Sequence, residues 1–101
     1  MGITDYKEKV YALTKQIPKG KVTTYGAIAK KLSMSPRTVG YALHLNPYEG
    51  KVPCHRVVNR DGRIAPSFAF GGSEIQRKLL ESEGVQFKDE THVSKDNIIT
   101  I

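Results

Sequence analysis

The chain has 101 residues and a mass of 11.2 kDa, the size of one domain, and its 39% apolar and 26% charged content is that of an ordinary globular protein. One cysteine and no tryptophan exclude an internal disulfide framework and a multi-cysteine zinc site, and no apolar run is long enough to span a bilayer. The formal net charge is +6, unevenly laid out: residues 1–63 carry 12 basic and 4 acidic side chains, residues 64–101 carry 4 and 6.

The polar opening, MGITDYKEKV, does not read as a signal peptide. Residues 5–16 read as a helix, because Tyr6, Val10, Leu13 and Ile17 recur on one stripe; Thr4 or Asp5 can cap it and Pro18-Lys19-Gly20 ends it. Val22 to Tyr25 is a short extended entry to a second helix, about 24–32, with Thr23 or Thr24 as its cap. Ser33 and Met34 make a turn. Ser35-Pro36 then starts a third helix, where serine caps and proline sits at a position whose N–H needs no partner. That helix runs to about Leu45 and stops at Asn46-Pro47. Two short helices joined by a tight turn make a helix-turn-helix, about 24–45. The third helix would be the recognition helix, yet Arg37 is its only formal charge, and Thr38, Gly40 and Ala42 are small. Small residues suit close docking into a groove, and equally suit tight helix packing.

Residues 46–64 hold a loop and a small hairpin, with Val57-Val58 going out, Asn59-Arg60-Asp61-Gly62 turning and Arg63-Ile64 returning. Residues 65–72 form a closing loop. Ser73-x-x-Gln76 reads as a capping box for a last helix that ends at Glu83-Gly84, with Ile75, Leu79 and Leu80 facing inward. Residues 85–101 are a tail with a short hairpin drawn from Val85, Phe87, Val93 and Ile98. The expected class is mainly α with a small β-hairpin, a winged-helix-like helix-turn-helix domain occupying the whole chain.

Cys54 stands in the loop as Pro53-Cys54-His55-Arg56. A lone cysteine is commonly an apolar core residue, but a neighbouring histidine and arginine are the surroundings that generate thiolate. A histidine base needs a carboxylate to orient it and balance its charge, and Glu83 or Glu81 near the end of the last helix can supply one. An acid at a helix C-terminus opposes the dipole, so Glu83 needs local compensation; Arg37, a cation at an N-terminus, is similarly misplaced unless it serves a partner. His44 and His92 have no ligand-spaced companions, and no metal site is expected.

With these residues in view, the sequence resembles the O6-alkylguanine-DNA alkyltransferases. The resemblance rests on Pro53-Cys54-His55-Arg56-Val57-Val58, on Ile17-Pro18-x-Gly20-x-Val22-x-x-Tyr25-Gly26, on Arg37-x-Val39-Gly40-x-Ala42-Leu43 before Asn46-Pro47, and on Gly71-Gly72 with Leu79-Leu80-x-x-Glu83-Gly84-Val85. It implies that Cys54 accepts an alkyl group. His55 would be its base through a water, Glu83 would orient His55, and Asn46 would brace the turn. It implies DNA contacts from Thr24, Tyr25, Gly26, Ser35, Arg37, Thr38 and Gly40. Tyr25 would crowd the phosphate of the target nucleotide, and Arg37 would fill the space in the base stack. Leu43, Val57, Phe70 and Gly71 would line the pocket for the flipped base. The partner would be duplex DNA carrying alkylated guanine, the protein a monomer needing no cofactor and no membrane, in the cytoplasm, or the nucleus of a eukaryote. The chain would be the C-terminal reactive domain alone, without the family's usual N-terminal domain. Where the family often has tyrosine and serine before the two glycines, this chain has Ala69 and Phe70, which touches the range of alkyl groups accepted.

Two rivals remain open at this level. An alkyltransferase-like damage sensor shares the fold, flips the lesion and recruits excision repair, but such relatives lack the acceptor cysteine. A winged-helix transcription regulator shares the helices and hairpin, but has no need of Cys-His in a loop.

Overall fold

The computed structural model describes residues 6–47, 51–65 and 71–101. Helix α1 is Tyr6–Thr14, strand β1 Thr23–Thr24, helix α2 Tyr25–Leu32, helix α3 Pro36–His44, strand β2 Val57–Val58 and helix α4 Gly72–Ser82; single 3-10 turns stand at Cys54–Arg56 and Lys95–Asn97. The class is mainly helical with a helix-turn-helix, as expected, together with a small two-stranded sheet.

The α1 stripe packs inward, with Val10, Leu13 and the following Ile17 buried, and Tyr11 adds a second anchor by donating its hydroxyl to the Ala42 carbonyl at 2.7 Å. Thr24 caps α2, accepting from the Ala27 N–H at 3.0 Å. Ser35 caps α3, accepting from the Thr38 N–H at 3.2 Å, with Pro36 opening the helix. Between them Ser33 takes a left-handed conformation, φ 57°. This lets the Met34 N–H reach the Ala29 carbonyl at 2.9 Å and turns the chain sharply between the two helices. Helices α1, α2 and α3 close over one apolar cluster that also takes in Val52, Cys54 and Val57.

The sheet differs from the expected hairpin. Strand β2 pairs in parallel with β1, Thr23 opposite Val57 and Thr24 opposite Val58. Two bonds of the hairpin turn are present, Asn59 N–H to the Arg63 carbonyl at 2.8 Å and Gly62 N–H to the Asn59 carbonyl at 2.9 Å, but Arg63 bridges to His92 in the tail. The reason lies in side-chain alternation: successive strand residues point to opposite faces. Val57 enters the helical cluster, while Val58 joins a second cluster with Val22, Ile64, Leu80, Val85 and Val93. Both valines are fully buried, so β2 lies between two cores and takes as neighbour the strand leading out of α1.

The tail is tied down. Phe87 bridges Val93, as the short hairpin required, and Ile98 bridges Val22. The Thr23 hydroxyl donates to the Ile99 carbonyl at 2.7 Å, and the Arg77 guanidinium stacks on Phe87 at 4.2 Å.

Helix α4 departs most from expectation. Its cap is Gly71, φ 129°, which makes no side-chain cap bond. A β-carbon there would come within 2.6 Å of Ile75 Cγ1, so only glycine fits. The helix begins at Gly72, which puts Ser73 inside the first turn and turns Gln76 into the core; the Ser73–Gln76 capping box does not form. Gln76 and Leu80 are the buried stripe, while Ile75 and Leu79, at 37% and 38% exposed, lie on its edge instead of facing inward. One residue of helix is about 100° of rotation, enough to exchange the two stripes.

Candidate active site

The 3-10 turn Cys54–Arg56 hangs between Val52 and β2. The Cys54 N–H reaches the Val52 carbonyl at 2.8 Å and the Arg56 N–H the Pro53 carbonyl at 2.9 Å. Cys54 is 5% exposed, on the wall of the helical cluster, in no disulfide. Asn46, buried just after α3, sends its amide to the same Val52 carbonyl at 3.4 Å, and so ties the end of α3 to the residue that the turn starts from.

Glu83, at the C-cap of α4, is the carboxylate that meets the turn. Its Oε2 lies 3.0 Å from His55 Nε2. Glu81 does not; it pairs with Arg77 on the helix surface at 3.2 Å. The compensation that Glu83 needs comes from Arg56, which donates Nε to Oε1 at 2.9 Å and Nη2 to Oε2 at 2.8 Å. Arg56 Nη1 reaches on to the Ile17 carbonyl at 2.9 Å, anchoring the turn to the end of α1. Burial alone would raise the Glu83 pKa, but the hydrogen bonds from Arg56 and His55 outweigh it, and the carboxyl sits below its ordinary value. His55 is lowered, chiefly by burial, against the opposing pull of Glu83 and with the help of the Arg56 charge. The ring is therefore held neutral. Glu83, ionised, can only accept, so Nε2 carries the ring proton and Nδ1 keeps its lone pair. A groove of about 350 Å³, lined by Lys15, Lys51, Val52, Pro53, His55, Arg56 and Glu83, opens onto this pair.

Two residues that hold the site were not among the candidates. Arg56 stands in the motif as a cation beside the thiol; the sequence signal for its bond to Glu83 is the unbalanced acid at a helix end. The capping-box pattern assigns Gln76 to the helix start, but the structure places it elsewhere. Fully buried, it accepts from the Ala65 N–H at 2.7 Å and donates to the His55 and Val57 carbonyls, both at 3.0 Å. A glutamine within an apolar helical stripe is the sequence signal for such a residue.

Tyr25 opens α2 and packs on the helical cluster. Burial first, and the negative charge that Cys54 can carry, push its pKa up to about 12. The phenol therefore keeps its proton as a donor near the thiol. Its ring faces Gly40 of α3: a β-carbon at Gly40 would meet Tyr25 Cε1 at 3.9 Å, an ordinary contact, so packing does not demand that glycine. Ala42, by contrast, is fully inside the core. The outer face of α3 is not bare. Arg37 is exposed there, with Tyr41 at 59% and Leu45 at 43%. Thr24 and Ser35 are engaged in their caps, Gly26 is exposed, and Thr38 is half-buried on the first turn of α3 with its hydroxyl 2.9 Å from that of Ser35. Leu43 and Val57 lie buried with Cys54, and Gly71 is exposed at the start of α4. Phe70, Ala69 and the rest of 66–70 lie outside the described residues. Among the described residues, no three His, Cys, Asp or Glu side chains are grouped to hold a metal ion, and no helix is long and apolar enough to cross a membrane.

Comparison with known proteins places this geometry. Among curated relatives, the methylated-DNA–protein-cysteine methyltransferase of Thermococcus kodakarensis is 49% identical over 86 residues, which is 84% of this chain and 48% of that protein. The protein of the same name from Methanothermobacter thermautotrophicus is 37% identical over 87 residues, 86% of this chain and 48% of its own length. The chain thus spans about half the length of the curated relatives it matches. Among solved structures, S. pombe Atl1 in complex with damaged DNA containing O6-carboxymethylguanine superposes with a TM-score of 0.82 at 32% identity, covering 100% of both chains. The Mycobacterium tuberculosis OGT–DNA complex gives 0.72 at 34% identity, over 81% of this chain and 50% of that one. The family model for the DNA-binding domain of 6-O-methylguanine DNA methyltransferase matches residues 5–85, and the chain belongs to that family.

Proposed function

We propose that this chain is the reactive part of an alkylguanine alkyltransferase, which moves the alkyl group of O6-alkylguanine in duplex DNA, O6-methylguanine above all, onto Cys54. The observation that carries the reading is the buried Cys54 next to a neutral His55 whose Nε2 is held by Glu83 at 3.0 Å. The electrophilic carbon lies inside a duplex, so the nucleotide must leave the stack to reach a buried thiol. Helix α3 docks in the minor groove, Arg37 fills the gap, and Tyr25 crowds the backbone of the flipped nucleotide. His55, through a water, takes the Cys54 proton, and Glu83 balances the imidazolium. The thiolate attacks the alkyl carbon in line; a carbon–sulfur bond forms as the carbon–oxygen bond breaks. The Tyr25 hydroxyl keeps its proton and donates a hydrogen bond to the guanine oxyanion, which takes up the proton that His55 received from Cys54, so His55 returns to neutral. Thiol and alkylguanine become thioether and guanine, and each molecule acts once.

Intact mass after incubation with an O6-methylguanine duplex tests this. A gain of one methyl group, absent in Cys54→Ser, is expected. One observation favours a second reading, the lesion sensor: the match to Atl1 runs over the whole of both chains. Tight, lesion-selective binding without a mass gain would establish that reading instead, and equal affinity for damaged and undamaged duplexes would point to a DNA-binding regulator.

A further inference from the structure

We propose that Gln76 is a positioning residue that sets the reactivity of Cys54, with α4 serving as a rigid clamp on the reactive turn. The inference rests on Cys54 being the reactive group. The turn Cys54–Arg56 is a single 3-10 turn with no side-chain cap, a weak element by itself. The carbonyls of His55 and Val57 are both taken by Gln76 Nε2 at 3.0 Å. The Oε1 of the same amide accepts from the Ala65 N–H at 2.7 Å, fixing the residue eight positions after Val57. Three bonds to three separate residues leave the amide one orientation, and full burial keeps water from replacing them. Gln76 and Glu83 stand seven residues apart, two turns of helix, so both project from one side of α4. One grips the His55 backbone and the other its imidazole. A rotation of the turn that moved His55 away from Cys54 would have to break both grips.

The test needs no DNA. Modification of Cys54 by iodoacetamide is followed by intact mass across pH for the wild-type chain, Gln76→Met and Gln76→Lys, at temperatures where circular dichroism shows each folded. Met matches the shape and loses all three bonds. Lys restores a donor for the two carbonyls but not the acceptor for Ala65. Met should react about tenfold more slowly at neutral pH, with its rate curve displaced to higher pH, since small misplacements of a reacting group cost this much or more. Lys should recover most of the rate. A folded Met variant with the wild-type curve, or a folded Lys variant as slow as Met, overturns the proposal. If neither variant folds, Gln76 is a requirement of the fold and the positioning role is likewise overturned. A wild-type chain that reacts with iodoacetamide but gains no methyl group from an O6-methylguanine duplex overturns the transfer reading, whereas a wild-type chain that gains the methyl group beside a folded Met variant with the wild-type iodoacetamide curve overturns the role of Gln76 alone.

Discussion

Around Cys54, the polar groups already have partners. Glu83 is held by three hydrogen bonds from two side chains, Arg56 by the carboxylate and the Ile17 carbonyl, and Gln76 by three backbone groups. On the outer face of α3 the arrangement is reversed. Arg37, Tyr41 and Leu45 are exposed, and among the described residues the Arg37 side chain makes no hydrogen bond or ion pair. On the proposed function, the difference separates two tasks. A group that must move a proton has to be positioned beforehand, because reorganising it during the reaction adds to the barrier. A group that must follow a deformable duplex gains from waiting for its partner, and its chain entropy is the cost of waiting.

The comparison breaks most visibly at Glu83. Glu83→Gln should slow Cys54 methylation about a hundredfold, the usual scale of an acid–base contribution, with duplex affinity within about threefold of wild type. It should also lower stability by about 2 kcal/mol, since charged partners are left half-satisfied. Single-turnover rates and thermal melts measure both, and an unchanged rate would remove Glu83 from the proton path.

Arg37→Ala tests the other side. It should weaken transfer from duplex DNA about tenfold, in line with one lost charged contact, and leave transfer from O6-methylguanine as the isolated base unaltered. Equal losses on both substrates would end its stack-filling role.

Acidification should act on the built side alone. The folded His55 pKa lies below its ordinary 6.5, so the unfolded chain takes that proton first, and stability declines as pH falls below 6.5. Glu83 lies below its ordinary 4.5; its contribution holds above that value and is lost as pH falls through the folded pKa. Both therefore tilt the same way. Melting temperature and iodoacetamide rate should fall together from pH 7 to pH 4. A melting temperature that rises on acidification would contradict the assignment.

The smallest effect is expected at Tyr41. Tyr41→Ala removes a ring that is 59% exposed, so stability should stay within about 0.5 kcal/mol. Duplex affinity should fall by about threefold, less than one buried contact is worth. A larger loss of stability would show that the outer face of α3 supports the fold.

Much of this protein is set by residues close together in the chain. The α1 stripe, the Thr24 and Ser35 caps, the proline at the start of α3 and the Cys54–His55 pair all follow from spacings of one to four residues, where helix geometry and capping act. The partner acid is open between Glu83 and Glu81 from spacing alone, and the family resemblance points to Glu83. Tertiary structure made the choices that act over longer separations. Glu83 rather than Glu81 meets His55, 28 residues away. Strand β2 pairs with Thr23 and Thr24 because its two valines must enter two different cores. Helix α4 starts two residues earlier than a Ser73 cap would set it, with Gly71 tight against Ile75, and Gln76 lies in the buried stripe against the reactive turn rather than in a cap. Local periodicity fixes which side chains share a face. Only the packing of whole elements fixes what that face meets, and the chemistry of Cys54 depends on that meeting.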